Sequence, residues 1–256
     1  MKRVIVVGGG FAGLSASVYL AENNFEVTLL EASPKLGGRA YSIYNQKFDD
    51  YYDNGQHILM GCYEETLSFL EKINSTDNIE FQNSLHVPFV GKGGEVFELN
   101  AYKKFYPLNL FWGILNYKAL SIKERIKVID FFLDLMCCYS CDLKNKTVKE
   151  WLECKRQSEN TIKSFWEILV VGTLNTTIEK ASAEIFSEIL QRIFLSGNKA
   201  ATIVLPKTSL EKFYLENANR FIKSKKGKIN LSERVDRIEV GNNKILMIVT
   251  ENKSYS

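Results

Sequence analysis

With 256 residues, 45% hydrophobic and 25% charged, the chain has the composition of a globular protein and the length for one large domain or two smaller ones. Its 33 basic and 30 acidic residues leave a formal charge of +3 with scattered lysines, which gives no electrostatic footprint for nucleic acid. No run approaches the roughly 18 apolar residues of a spanning helix, and Val4–Val7 is too short for a signal peptide, so the expected compartment is the cytoplasm, where five cysteines stay reduced.

Lys2–Val7 reads as a buried parallel strand running into Gly8-Gly9-Gly10-Phe11-Ala12-Gly13. A helix pattern follows to Asn24, with small side chains in its first turn, then a second strand, Phe25–Leu30, and Glu31 at its end. This is G-x-G-x-x-G in the context it requires. Gly8 permits the turn, Gly10 lets the backbone approach a pyrophosphate at the helix amino terminus, and Gly13 allows helix and strand to pack closely. Glu31 stands 18 residues after Gly13, near the spacing of about 20 expected of an acid that binds ribose hydroxyls. A dinucleotide is the predicted ligand.

Directly after Glu31 comes a second glycine pair, Gly37-Gly38, followed by Arg39, which brings a fixed positive charge toward phosphates. The order of glycine fingerprint, acid and Leu-Gly-Gly-Arg resembles the FAD-dependent amine oxidase and carotenoid desaturase superfamily. That resemblance implies FAD as cofactor, and no second fingerprint indicates a separate NAD(P)H domain. The next motif is Asp53-Asn54-Gly55-Gln56-His57. Read alone it is a surface turn with a structural histidine. In the superfamily an Asp-x-Gly-x-His loop lies beside the isoalloxazine ring, which makes Gly55, Gln56 and His57 cofactor-binding residues.

From about Gln82 to Leu99 two alternating runs flank Gly-Lys-Gly-Gly, a predicted hairpin. An aromatic and leucine-rich stretch follows, and Ser121 is a predicted helix cap before an apolar face of Ile122, Ile126, Ile129 and Leu133. Most of this reads as core; the sharper reading is a greasy channel, with Phe105–Leu115 as a peripheral membrane contact. Cys138-Tyr139-Ser140-Cys141 has redox spacing but lies in a helical apolar pattern, which favours buried thiols over thioredoxin-like chemistry. No accompanying cluster suggests a metal. Residues 200–256 read as a return to the nucleotide-binding domain, with Gly227 capping a helix and a strand starting at Ile229.

The run DNGQHILMGCYEETLSFL further resembles the hydroxysqualene dehydroxylase family, the squalene-associated flavoproteins of hopanoid synthesis. Trp166, Leu174-Asn175-Thr176 and Ala181-Ser182 resemble that family's downstream blocks. The resemblance implies an FAD enzyme converting hydroxysqualene to squalene, with a long apolar isoprenoid as substrate and Val235 placing a backbone group at adenine. His57 is the candidate proton donor to the departing hydroxyl. Another isoprenoid desaturase or an amine oxidase is the alternative, and a non-catalytic flavin-fold protein a third. The expected architecture is α/β: a Rossmann-like FAD-binding domain (1–81 and 200–256) with an inserted, mostly helical substrate domain (82–199). The family's pattern continues beyond these residues, so the chain reads as truncated, with a second chain as a possible source of the remainder.

Overall fold

The computed structural model describes residues 2–55, 57–91, 93–137, 142–242 and 244–255. Gln56 and the Cys138–Cys141 motif lie outside the described residues. The chain divides into two compact units: residues 1–58, 64–80 and 205–256 form the first, and residues 59–63 and 81–204 the second.

The first unit is built on a parallel sheet. Strand β1 (Arg3–Val7) pairs in register with β2 (Glu26–Leu30), and β2 pairs on its other side with the strand Lys228–Asn230. Helix α1 (Phe11–Glu22) joins β1 to β2 and buries Leu14, Ser17, Val18 and Ala21. Small residues on that face let it lie close to the sheet. Ser17 Oγ donates back to the Gly13 carbonyl at 2.7 Å, so its hydroxyl is satisfied although buried. An antiparallel hairpin, β3 (Ser42–Asn45) and β4 (Asp50–Asp53), follows Arg39. Helix α2 (Glu64–Lys72) buries Phe69 and Leu70, and the Phe69 ring meets Phe11 edge-on at 5.1 Å. Two antiparallel strands, Val235–Gly241 and Lys244–Thr250, complete this unit with the short strand Ser254–Tyr255.

The second unit is mostly helical with one hairpin, His86–Val90 against Val96–Asn100. Its helices include α3 (Leu108–Leu115) and α4 (Ile122–Met136), then Val148–Cys154, Glu167–Leu174 and Ala183–Phe194. Ser121 caps α4 as expected, in a reciprocal capping box with Glu124. The apolar face expected of α4 is not its core face. Val128, Phe131, Phe132 and Leu135 are buried; of the expected face only Ile129 packs, half-buried, against the core, while Ile122, Ile126 and Leu133 are exposed. The helix carries two apolar stripes, and the one with the two phenylalanines buries more area and takes the core. Phe131 and Phe132 pack on Trp166, which is fully buried and donates Nε1–H to Gln157 Oε1 at 3.0 Å. Asn175, in the left-handed conformation, ends the helix Glu167–Leu174, and Ser182 caps the start of Ala183–Phe194.

An apolar cavity of about 20 Å³ lies among Leu99, Leu110, Ile114, Phe132, Phe165 and Phe194. That is room for one small group, not for a long isoprenoid.

Candidate functional site

Three stretches of the first unit meet through their main chains. β1 ends at Gly8, whose φ of +97° is costly for any other residue, and its N–H donates to the Leu30 carbonyl at 2.8 Å. The chain then enters α1 with Gly10 as the cap. A Cβ on Gly13 would stand 1.8 Å from the Gly8 carbonyl oxygen, so packing alone demands glycine there. Gly8 and Gly10 are different. A Cβ on Gly8 would meet nothing within 4 Å, and one on Gly10 only the Gly38 Cα at 4.0 Å. The space is open, and it adjoins the first turn of α1, where Gly10 supplies no side-chain cap.

Glu31 closes one side of this loop. One carboxylate oxygen accepts from the Gly9 N–H and the other from the Ser33 N–H. The second glycine pair lies against the first: Gly37 N–H donates to the Gly9 carbonyl at 2.9 Å. A Cβ on Gly38 would come 3.2 Å from the Gly10 Cα. Arg39 follows and is exposed, with no side-chain partner among the described residues.

The Asp53–His57 stretch is tied to the same place. Asn54 N–H donates to the Tyr41 carbonyl at 2.9 Å, and its side-chain amide donates to the Arg39 carbonyl at 3.0 Å. Gly55, at φ +86°, turns the chain so that its carbonyl lies 2.8 Å from His57 Nδ1. A carbonyl only accepts, so this bond keeps a proton on Nδ1 and leaves Nε2 as the atom able to gain or lose one.

Beyond Glu31 the chain runs beside the residues that lead into Val235. Glu31 N–H donates to the Asn230 carbonyl at 2.9 Å, and Glu233 N–H donates to the Glu31 carbonyl at 2.8 Å. Val235 then opens its strand two residues on. Gly8, Gly10, Gly13, Glu31, Gly37, Gly38, Arg39, Gly55, His57 and Val235 thus all lie in the first unit.

Sequence reasoning missed the supports of this site. Asp53 falls on the flavin-facing motif, yet its Oδ1 accepts from Ser42 Oγ at 2.7 Å and from the Leu210 N–H at 2.9 Å. Ser42 Oγ in turn accepts from the Glu211 N–H at 3.0 Å. Together they receive the start of the helical segment that runs from Glu211 to Ser224. Tyr214 on that segment donates its hydroxyl to the Ala40 carbonyl at 2.6 Å, next to Arg39. Burial pushes the Tyr214 hydroxyl far above the usual tyrosine range, so it remains a donor at all ordinary pH.

The donors suit a dinucleotide. Main-chain N–H groups at a helix start and a guanidinium suit phosphates, and a carboxylate with lone pairs remaining suits ribose hydroxyls. Residues 11–256 match the flavin-containing amine oxidoreductases. The chain belongs to that family. FAD is therefore its cofactor. Among curated relatives, this family member is 25% identical to the zeta-carotene desaturase of Synechocystis sp., over 93% of this chain and 50% of the relative. It is also 25% identical to the 15-cis-phytoene desaturase of Arabidopsis thaliana, over 93% of this chain and 43% of the relative. An oxidoreductase from Methanosarcina mazei has the same fold, with a TM-score of 0.73 at 20% identity, covering 100% of this chain and 57% of that one. The chain spans about half the length of the curated relatives it matches.

Proposed function

We propose that the chain forms the FAD-binding part of an oxidoreductase that acts on a long, uncharged isoprenoid. The observation that carries this reading is the convergence, through main-chain hydrogen bonds and the Asn54 side-chain amide, of the glycine fingerprint, Gly37–Arg39 and the Asn54–Gly55 turn. The relatives named for zeta-carotene and phytoene support an apolar isoprenoid as the substrate class.

Bound FAD supplies hydride-transfer chemistry. The chain's own residues do the rest. The first-turn N–H groups of α1 and the Arg39 guanidinium hold the pyrophosphate, and Glu31 accepts from ribose hydroxyls. The main chain at Val235 serves the adenine. Gly37, Gly38 and Gly55 keep side chains out of the way of a flat ring system. Gln56 belongs to the same binding loop. His57, oriented by the Gly55 carbonyl, exchanges a proton through Nε2.

A second, finer reading is reductive dehydroxylation of hydroxysqualene to squalene, with protonated His57 donating to the departing hydroxyl. The DNGQHILMGCYEETLSFL run favours it. Desaturation of a carotenoid needs no departing hydroxyl and leaves His57 without that task.

The test is to mix the 256-residue chain with FAD, remove the excess and record the visible spectrum. A retained, structured flavin band is expected. Folded but colourless protein would overturn the reading. Loaded protein offered hydroxysqualene with a reductant, and phytoene with an electron acceptor, separates the two substrates by product.

A further inference from the structure

The second unit carries a surface that the cofactor site does not use. Residues 101–129 hold six basic side chains (Lys103, Lys104, Lys118, Lys123, Arg125 and Lys127) against the single acid Glu124. The same stretch exposes Tyr102, Phe105, Leu108, Trp112, Leu115, Ile122 and Ile126. Phe105 is 79% exposed, Leu108 66% and Ile122 69%. An isolated exposed apolar residue needs no explanation, but seven in one basic stretch of 29 residues do.

These side chains are displayed by a braced scaffold. Buried Asn109 donates its amide to the Tyr102 carbonyl at 2.6 Å and to Asn198 Oδ1 at 2.7 Å, and Asn198 donates to the Lys103 carbonyl at 3.2 Å. Tyr106 donates its hydroxyl to the Phe194 carbonyl at 2.7 Å. Arg125 fastens α3 to α4, donating to the Leu115 and Leu120 carbonyls at 2.8 and 2.7 Å. Leu108, Trp112 and Leu115 stand on the exposed side of α3, opposite buried Leu110, Gly113 and Ile114. Tyr102, Lys103, Lys104, Phe105, Leu108 and Trp112 line an open groove of about 590 Å³ over that side.

We propose that this face docks on an anionic phospholipid bilayer. Aromatic rings and leucine on one side of a short helix, flanked by lysines, match the apolar–polar boundary of a lipid surface, where the rings enter and the ammonium groups meet phosphates. The excess of positive charge selects the anionic bilayer over a second copy of this chain, which would bring like charges together. No helix among the described residues is long and apolar enough to cross a membrane, so the contact is one of lying on the surface.

The chain has a built-in reporter. Of its three tryptophans, Trp151 and Trp166 are 4% and 0% exposed, whereas Trp112 is 51% exposed and sits on the face. Vesicles of phosphatidylcholine with about one-third phosphatidylglycerol are expected to shift tryptophan emission to the blue and shield it from iodide. Binding to these vesicles should be at least ten-fold tighter than to phosphatidylcholine alone and weaken with added salt. Lys103→Glu with Lys104→Glu, and separately Phe105→Ser with Leu108→Ser, should each weaken binding by roughly ten-fold or more, while Ile245→Ser, an exposed control in the other unit, should not. Emission unchanged by anionic vesicles, equal binding to neutral ones, or an emission shift that follows protein concentration without lipid would each overturn the proposal. The assay needs neither flavin nor turnover, so its failure would leave the reading of the cofactor site standing.

Discussion

Asp53 Oδ1 accepts the main-chain N–H of Leu210, 157 residues along the chain, at 2.9 Å. The same oxygen accepts the Ser42 hydroxyl at 2.7 Å. This carboxylate receives the start of a helical segment, as a cap does, although it comes from a strand end rather than from the residues just before the helix. Replacing it by alanine leaves the Leu210 N–H without a protein acceptor. Asp53→Ala is expected to cost about 1–3 kcal/mol in urea unfolding. Asp53→Asn keeps an acceptor oxygen and should cost less. A loss of flavin without any loss of stability would show instead that Asp53 serves the ligand directly.

Gly10 and Gly13 belong to one motif but answer to different constraints. Gly13→Ala forces a Cβ to within 1.8 Å of a carbonyl oxygen, and the helix–strand junction must open. It is expected to destabilise the first unit by several kcal/mol, on the scale of severe overpacking. Gly10→Ala meets only the Gly38 Cα at 4.0 Å, at an ordinary φ of −73°. It should cost roughly 1 kcal/mol as a poorer cap, yet weaken FAD retention at least ten-fold if that space belongs to the pyrophosphate. Thermal unfolding and flavin titration on both variants check the contrast.

That contrast shows what was legible in the sequence. Gly8 and Gly13 could be read because their constraints are local: a turn and a helix packing on the strand just left behind. Ser121 and Glu124 were readable for the same reason, three residues apart in a capping box. The Asp53–Leu210 tie was not, because no local pattern links a strand end to a helix 157 residues later. Periodicity finds the apolar stripes of α4 without saying which one meets the core. Asn175 and Ser182, noticed through a family resemblance, have local work as helix terminators whatever the substrate.

Glu124 gives the second unit a predicted acid sensitivity. The Ser158 hydroxyl donates to its Oε1, and with the Ser121 N–H it holds this carboxyl down at about 2. The folded value lies below the ordinary one, so the charged form stabilises the fold. That contribution is complete above about pH 5 and is lost as pH falls toward 2. Solvent screens a partly exposed carboxylate, so the loss should be about 1–2 kcal/mol. Glu124→Gln should be less stable than the parent at pH 6 and converge with it near pH 2.5. Urea midpoints across that window check the sign; a constant difference between the two proteins would assign the effect to packing.

His57 and Gly55 set the sharpest test of the proposed chemistry. The Gly55 carbonyl fixes the ring through Nδ1 at 2.8 Å, which separates two jobs: shaping the turn and exchanging a proton through Nε2. His57→Asn places an amide donor near the Nδ1 position but cannot exchange a proton at neutral pH. His57→Ala removes both. If the turn is what FAD needs, Asn should retain flavin as the parent does and Ala should retain less. If proton donation limits dehydroxylation, both variants should lose turnover by about 10²–10⁴-fold, measured on flavin-loaded protein. Full turnover of hydroxysqualene by flavin-loaded His57→Ala would remove the proton-transfer role. Desaturation of a carotenoid by that variant at the parent rate would leave His57 as a residue of the turn, and would favour the desaturase reading of this family member.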